Sequence, residues 1–143
     1  MSEQSLVEKL EEINSRAAFN RWAGLRVTAA EPGLVELTLA WREDFGQYNG
    51  FLHAGMIGAL IDTSCGFAAV TTNEWVMASH FSVNCLAPAR GETFVARARI
   101  LKPGRKQIFA AAELFAVSEG RSTLAATGQT LLVPTQDRAA PQA

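Results

Sequence analysis

The sequence predicts an α+β domain in which long antiparallel strands wrap one apolar helix. Three observations predict it. Residues 53–72 are apolar nearly all round over a helical length, so they must be enclosed on most sides. Six other segments show apolar runs or the period-two alternation of strands. Turn pairs, Pro32-Gly33 and Pro103-Gly104 among them, punctuate those segments.

The elements follow in order. Residues 5–19 read as a surface helix: Ser5 and Glu8 make a capping box, and Leu6, Leu10, Ile13 and Ala17 recur at helical spacing. Gly24 stops it. Leu25, Val27 and Ala29, then Val35, Leu37, Leu39 and Trp41, alternate with polar residues around the Pro32-Gly33 turn and form a hairpin. Residues 42–50 are a polar loop before the helix His53–Thr72. Inside that helix Gly55, Gly58 and Gly66 each cost about 1 kcal/mol relative to Ala, which implies close approach of another backbone or a ligand. Four strands follow. In the first, Trp75, Met77, Phe81, Val83 and Cys85 are read on one face. The second carries Phe94 to Ile100, the third spans 106–117 and is central, and the last spans 122–133. Lys102-Pro103-Gly104-Arg105 reads as a type II turn, and residues 118–121 as another tight turn.

Composition narrows the function. A chain of 143 residues, 48% hydrophobic, suits one domain (1–143) whose core needs neither disulfides nor a structural metal. Within it, residues 1–22 hold the N-terminal helix and 134–143 a flexible tail. The 13 basic and 14 acidic residues leave no broad basic field for nucleic acid. Cys65 and Cys85 lie in apolar runs without a CxxC spacing and read as core thiols of a reduced, cytoplasmic protein. The charged N-terminal stretch lacks the apolar region of a signal peptide. Gly50–Thr72 is apolar enough to raise the question of a membrane span, but a central Asp62 would cost about 2.5–3.5 kcal/mol there. No membrane partner is expected.

Asp62 is the chemical anomaly. A carboxylate among Leu60, Ile61, Cys65 and Gly66 must be paired, hydrogen-bonded or shifted in pKa. It is either a general base or nucleophile in a cleft, or a cap for a neighbouring loop. His53 opens the same helix nine residues earlier, half a turn out of phase and about 13 Å away along the axis. An intrachain His–Asp dyad is therefore not expected, and a centre near both must combine one chain's helix start with another chain's Asp. The first N–H groups of the helix, near Ala54, Gly55 and Met56, have no intrahelical partner and can hold an oxyanion. Lys102, Arg105 and Lys106 cluster at one turn and Arg90 lies on another loop, where they form a phosphate site or simply a solvated turn. No phosphate loop, zinc spacing or serine-hydrolase elbow occurs, and no metal is expected.

Residues 47–66, QYNGFLHAGMIGALIDTSCG, resemble the signature N-x-x-G-x-x-H-G-G-x(7)-D of PaaI-like hot-dog-fold acyl-CoA thioesterases. The resemblance implies a hot-dog fold, with a curved six-stranded antiparallel sheet around the long central helix. It also implies a homodimer or homotetramer with active sites shared between subunits. By position, Asp62 matches the carboxylate that activates water or attacks the thioester. Ala54 supplies the N–H to the thioester carbonyl, with Gly55 following, and His53 shapes the thioester end. The motif's loop Asn falls on Gln47, with Asn49 and Gly50 beside it as substrate contacts. A Ser/Thr helper of some relatives falls on Ala78, with Ser79 adjacent. Arg90, Lys102, Arg105 and Lys106 fall where coenzyme A phosphates are met. Phe51, Met56, Leu60 and Phe81 are candidates for the acyl channel. The implied reaction is hydrolysis of an acyl-CoA to a carboxylic acid and coenzyme A, with no cofactor beyond the substrate's own coenzyme A. The alternatives are a non-catalytic acyl-CoA binder and a hydroxyacyl-thioester dehydratase.

Overall fold

The structure, a computed structural model, describes residues 3–135. The expected tail 134–143 lies outside the described residues beyond Thr135. The N-terminal segment is two helices, α1 (Leu6–Asn14) and α2 (Ala18–Ala23), where the sequence suggested one. The Ser5–Glu8 capping box forms as expected. The break follows from Ser15, whose Oγ donates to the Glu12 carbonyl at 2.7 Å, and from Ala17 in extended backbone. Gly24, at φ 75°, closes α2 in the left-handed conformation. The Asn14 side chain donates to the Leu25 carbonyl at 2.7 Å, and Glu11 accepts from the Val27 amide, so α1 is tied to the first strand.

Strands β1 (Arg26–Glu31) and β2 (Leu34–Ala40) form the predicted hairpin. A short 3-10 turn (Glu43–Phe45) leads to α3 (Ala54–Val70). Then come β3 (Val76–Cys85), β4 (Thr93–Lys102), β5 (Ile108–Ser118) and β6 (Arg121–Pro134). All pair antiparallel in one sheet, ordered β1-β2-β4-β5-β6-β3. The sheet lays an inner face of small residues, including Ala96, Ala98, Ala110, Ala112, Ala126 and Gly128, against α3. Leu60, Ile61, Cys65, Ala68 and Ala69 of α3 are fully enclosed. At Gly128 a Cβ would stand 2.7 Å from Ile61 and from the Ser82 carbonyl, so β6 reaches the helix only without a side chain there. This is the hot-dog fold that residues 47–66 implied.

Three local expectations are corrected. Gly104 is not at positive φ, so the turn after Lys102 is not type II. Its glycine instead permits close approach to the Gln107 backbone. The β5–β6 turn does carry positive φ at both centres, Glu119 and Gly120. In β3 the register slips between Ala78 and His80, leaving Ser79 as an extra residue. The bulge reverses the phase: Ala78, Phe81, Val83 and Cys85 share a side with the inward residues of β6, while Met77 points out and is 68% exposed. Cys65 is a core thiol as expected, but Cys85 is exposed at the end of this edge strand. No helix among the described residues is long and apolar enough to cross a membrane.

Candidate active site

The loop before α3 is anchored before it presents anything. Phe45 is buried, and the Arg42 guanidinium lies 4.3 Å from its ring and 5.0 Å from that of Trp22. The Phe45 carbonyl accepts from the His53 amide at 2.8 Å, and Leu52 donates to the Ala89 carbonyl at 2.9 Å. Gly50, at φ 78°, turns the chain back so that Gln47 and Phe51 pair through their backbones. Gln47 Oε1 accepts the Asn49 amide, which holds the side chain over the turn.

His53 is the N-cap of α3. Its Nδ1 accepts from the Gly55 amide at 2.8 Å, which places the ring proton of the neutral imidazole on Nε2. The amides of Met56 and Ile57 donate to the His53 carbonyl at 2.9 and 3.1 Å. Of the first-turn donors, Ala54 N–H alone is left without a partner among the described residues. The helix start thus offers one directed N–H at the positive end of the helix dipole, and Gly55 N–H is not available. The signal was local, since the cap is two residues from its partner, but His is not among the usual capping residues. Gln47, Phe51, His53 and Ala54 line one cavity of about 570 Å³ with Cys85 and Leu86 from the far end of β3.

Asp62 lies elsewhere. It lines a separate cavity of about 210 Å³ with Gly66, Phe67 and Val70 of α3, Trp75, Val76 and Ala78 at the near end of β3, and Ile13 of α1. Its carboxylate accepts no hydrogen bond from the described residues, so it caps no loop among them. Burial among these apolar groups pushes its pKa up from the ordinary aspartate value. Burial pushes Cys65, one turn along, up to about 11, with a smaller contribution from the Asp62 charge. It stays a thiol and is no nucleophile.

The two groups therefore sit at opposite ends of β3, an edge strand with no neighbour beyond it among the described residues. The remaining candidates divide the same way. Arg90 follows Ala89, which lines the cavity at the helix start. Lys102 ends β4, and Arg105 and Lys106 follow on the β4–β5 loop; all three are exposed. Arg105 shares a cavity with Thr72 and Glu74 at the C-terminal end of α3. One chain does not bring these four cations together. Asn49 and Gly50 are exposed on the loop turn. Ser79, the bulge residue, is exposed and donates to the Leu131 carbonyl at 3.3 Å, while Ala78 faces Asp62's cavity. Of the suggested acyl-channel residues, Phe51 lines a cavity, whereas Met56 and Leu60 are core and Phe81 packs on Gly58. Ile13 and Trp75 were not singled out for the site. They reach it through the docking of α1 and the end of β3, which depend on contacts far apart in sequence.

Residues 49–123 match the family model described as the thioesterase superfamily. A thioesterase family protein of Silicibacter pomeroyi has a crystal structure that matches with a TM-score of 0.85 at 33% identity, over 91% of this chain and 98% of that one. Human acyl-coenzyme A thioesterase 13 is 26% identical over 122 residues, 82% of this chain and 87% of its own. The E. coli PaaI structure matches with a TM-score of 0.81 at 18% identity, over 92% of this chain and 96% of that one, and shares the fold. The chain belongs to the thioesterase superfamily, as a thioester hydrolase on the PaaI-like hot-dog fold.

Proposed function

We propose that the protein is an acyl-CoA thioesterase whose site forms between two copies of the chain. The observation that carries the reading is the placement of a helix N–H (Ala54) and a desolvated carboxylate (Asp62), both without partners among the described residues, at opposite ends of β3, whose outer edge has no strand beside it among those residues. Two β3 strands joined antiparallel about a twofold axis exchange ends. The helix start of one copy then faces the Asp62 of the other, which supports a homodimer and, from two such pairs, a homotetramer.

In the reaction the thioester carbonyl oxygen accepts from Ala54 N–H. Negative charge developing on that oxygen is stabilised by the same N–H and by the helix dipole. Asp62 of the second copy takes a proton from water as the water oxygen bonds to the carbonyl carbon. The carbon–sulfur bond then breaks, and coenzyme A leaves as the thiolate and is protonated. The raised pKa of Asp62 brings its basicity nearer the working pH, where a general base is most effective. A thioester is already activated, so the scheme requires neither metal nor cofactor. The twofold also carries the turn with Lys102, Arg105 and Lys106 of one copy toward the Arg90 end of the other, in keeping with a phosphate-binding mouth. The dehydratase alternative needs a histidine base, and the His53 Nδ1 lone pair is engaged with Gly55.

The test is thiol release from a panel of aryl- and fatty-acyl-CoAs. Release by wild type, lost in Asp62→Asn with ligand binding retained, is the expected result. Binding of these thioesters without release by wild type overturns the hydrolase reading in favour of a binder.

A further inference from the structure

Arg42 is a half-buried arginine without a carboxylate. Glu43 and Asp44 follow it directly, yet no ion pair joins it to either or to any other described residue. Its guanidinium instead lies over the rings of Phe45 and Trp22, which meet edge to face at 5.4 Å. Nη1 donates to the Trp22 carbonyl at 2.6 Å. Nε is enclosed and finds no acceptor among the described residues. A buried donor left unpaired is unfavourable, so the two rings and the one carbonyl must outweigh that loss to keep the guanidinium here.

The contact joins two distant parts of the chain. Trp22 belongs to α2 and is backed by Phe19, whose ring centre is 5.7 Å away. Phe45 ends the 3-10 turn that leads toward α3. The Phe45 amide donates to the Arg42 carbonyl at 3.0 Å, and the Phe45 carbonyl accepts from the His53 amide at 2.8 Å. His53 caps α3, and the next residue, Ala54, carries the first-turn N–H that has no partner among the described residues. A continuous path of ring contacts and hydrogen bonds therefore runs from α2 through Arg42 and Phe45 to the helix start. An oxyanion donor works only when its direction is fixed, and displacements of about 1 Å are costly to rate.

We propose that Arg42 is a positioning residue for thioester hydrolysis, fixing the direction of the Ala54 N–H through Phe45 and His53. The proposal rests on the thioesterase reading and deepens it. Arginine suits the task because a planar guanidinium lies on the rings and still sends an in-plane N–H to a carbonyl, whereas a lysine ammonium is a hydrated point charge on a flexible stem. The effect belongs to kcat. The N–H gains most as charge develops on the carbonyl oxygen, while the coenzyme A and acyl parts of the substrate supply most of the binding.

The experiment measures kcat and KM on the acyl-CoA that wild type hydrolyses fastest. The variants are Arg42→Met, Trp22→Ala, Ala54→Pro and the double variant Arg42→Met with Ala54→Pro. Arg42→Met keeps an apolar stem and removes the charge and the donor. Its kcat is expected to fall about 10–100-fold with KM within about twofold of wild type. Trp22→Ala removes the other side of the contact on a half-exposed ring and should fall in the same way, which covers an Arg42→Met chain that does not fold. In the Ala54→Pro background Arg42→Met should lower kcat by no more than about twofold further, because the N–H it positions is already gone. Amide exchange at His53, followed by NMR, should quicken about tenfold in Arg42→Met while amides of the central strand β5 hold. A full further loss in the double variant overturns the proposal, as does a lowered Tm with kcat unchanged in both single variants, or unchanged exchange at His53. These outcomes leave the thioesterase reading intact. Wild type that releases thiol from no acyl-CoA of the panel fells that reading, and the proposal with it.

Discussion

At the scale of single residues, Asp62 carries the strongest consequences. Burial raises its pKa in the folded chain, so the folded state holds that proton to higher pH than the unfolded one. By linkage, Asp62 contributes its full stability below the unfolded pKa and loses it as pH rises through the folded value. Asp62→Asn should therefore melt like wild type near about pH 4 and increasingly above it toward about pH 8, while hydrolysis is abolished. Thermal melts at the two pH values check the first part and thiol release the second. In wild type kcat/KM should rise with pH as this carboxyl ionises, since only the carboxylate accepts water's proton. Ala54 offers a cleaner deletion. It occupies the first helical position, where proline is tolerated, and His53 at φ −62°, ψ 139° already has the backbone a residue before proline adopts. Ala54→Pro should keep Tm close to wild type and remove only the free N–H. The expected loss in kcat is about 10²–10³-fold, as for an oxyanion donor.

At the scale of elements, α3 and β6 are matched to each other through what they lack. Gly128 lets the strand meet Ile61, and the alanines of β4, β5 and β6 let the helix sink into the sheet. Gly128→Ala overpacks this contact against a strand backbone and a helix side chain that are both fixed. Its cost should be about 1–3 kcal/mol, measured by chemical denaturation.

At the scale of the whole molecule, the proposed site makes the active unit a pair of chains. One copy carrying Asp62→Asn and another carrying Ala54→Pro are each inactive alone under this scheme. Mixed through unfolding and refolding, they should recover about a quarter of wild-type activity: half the dimers are mixed, and one of their two sites is intact. Recovery read by thiol release, against none from either variant refolded alone, checks that the site is shared. No recovery would place both groups in sites confined to single chains.

How much of this was legible in the sequence follows the distance over which each feature is decided. Periodicity, the Ser5–Glu8 cap and the apolar run of α3 are local, so the element order and the burial problem of Asp62 could be read directly. The half-turn offset of His53 and Asp62 already pointed to a site built from two chains. Register and neighbourhood are not local. The slip at Ser79 that turns Met77 outward, the place of β3 at the sheet edge and the meeting of Ile13 with Trp75 were fixed only on folding. They depend on pairings between residues tens of positions apart, and those contacts compete with one another until the whole sheet closes around α3.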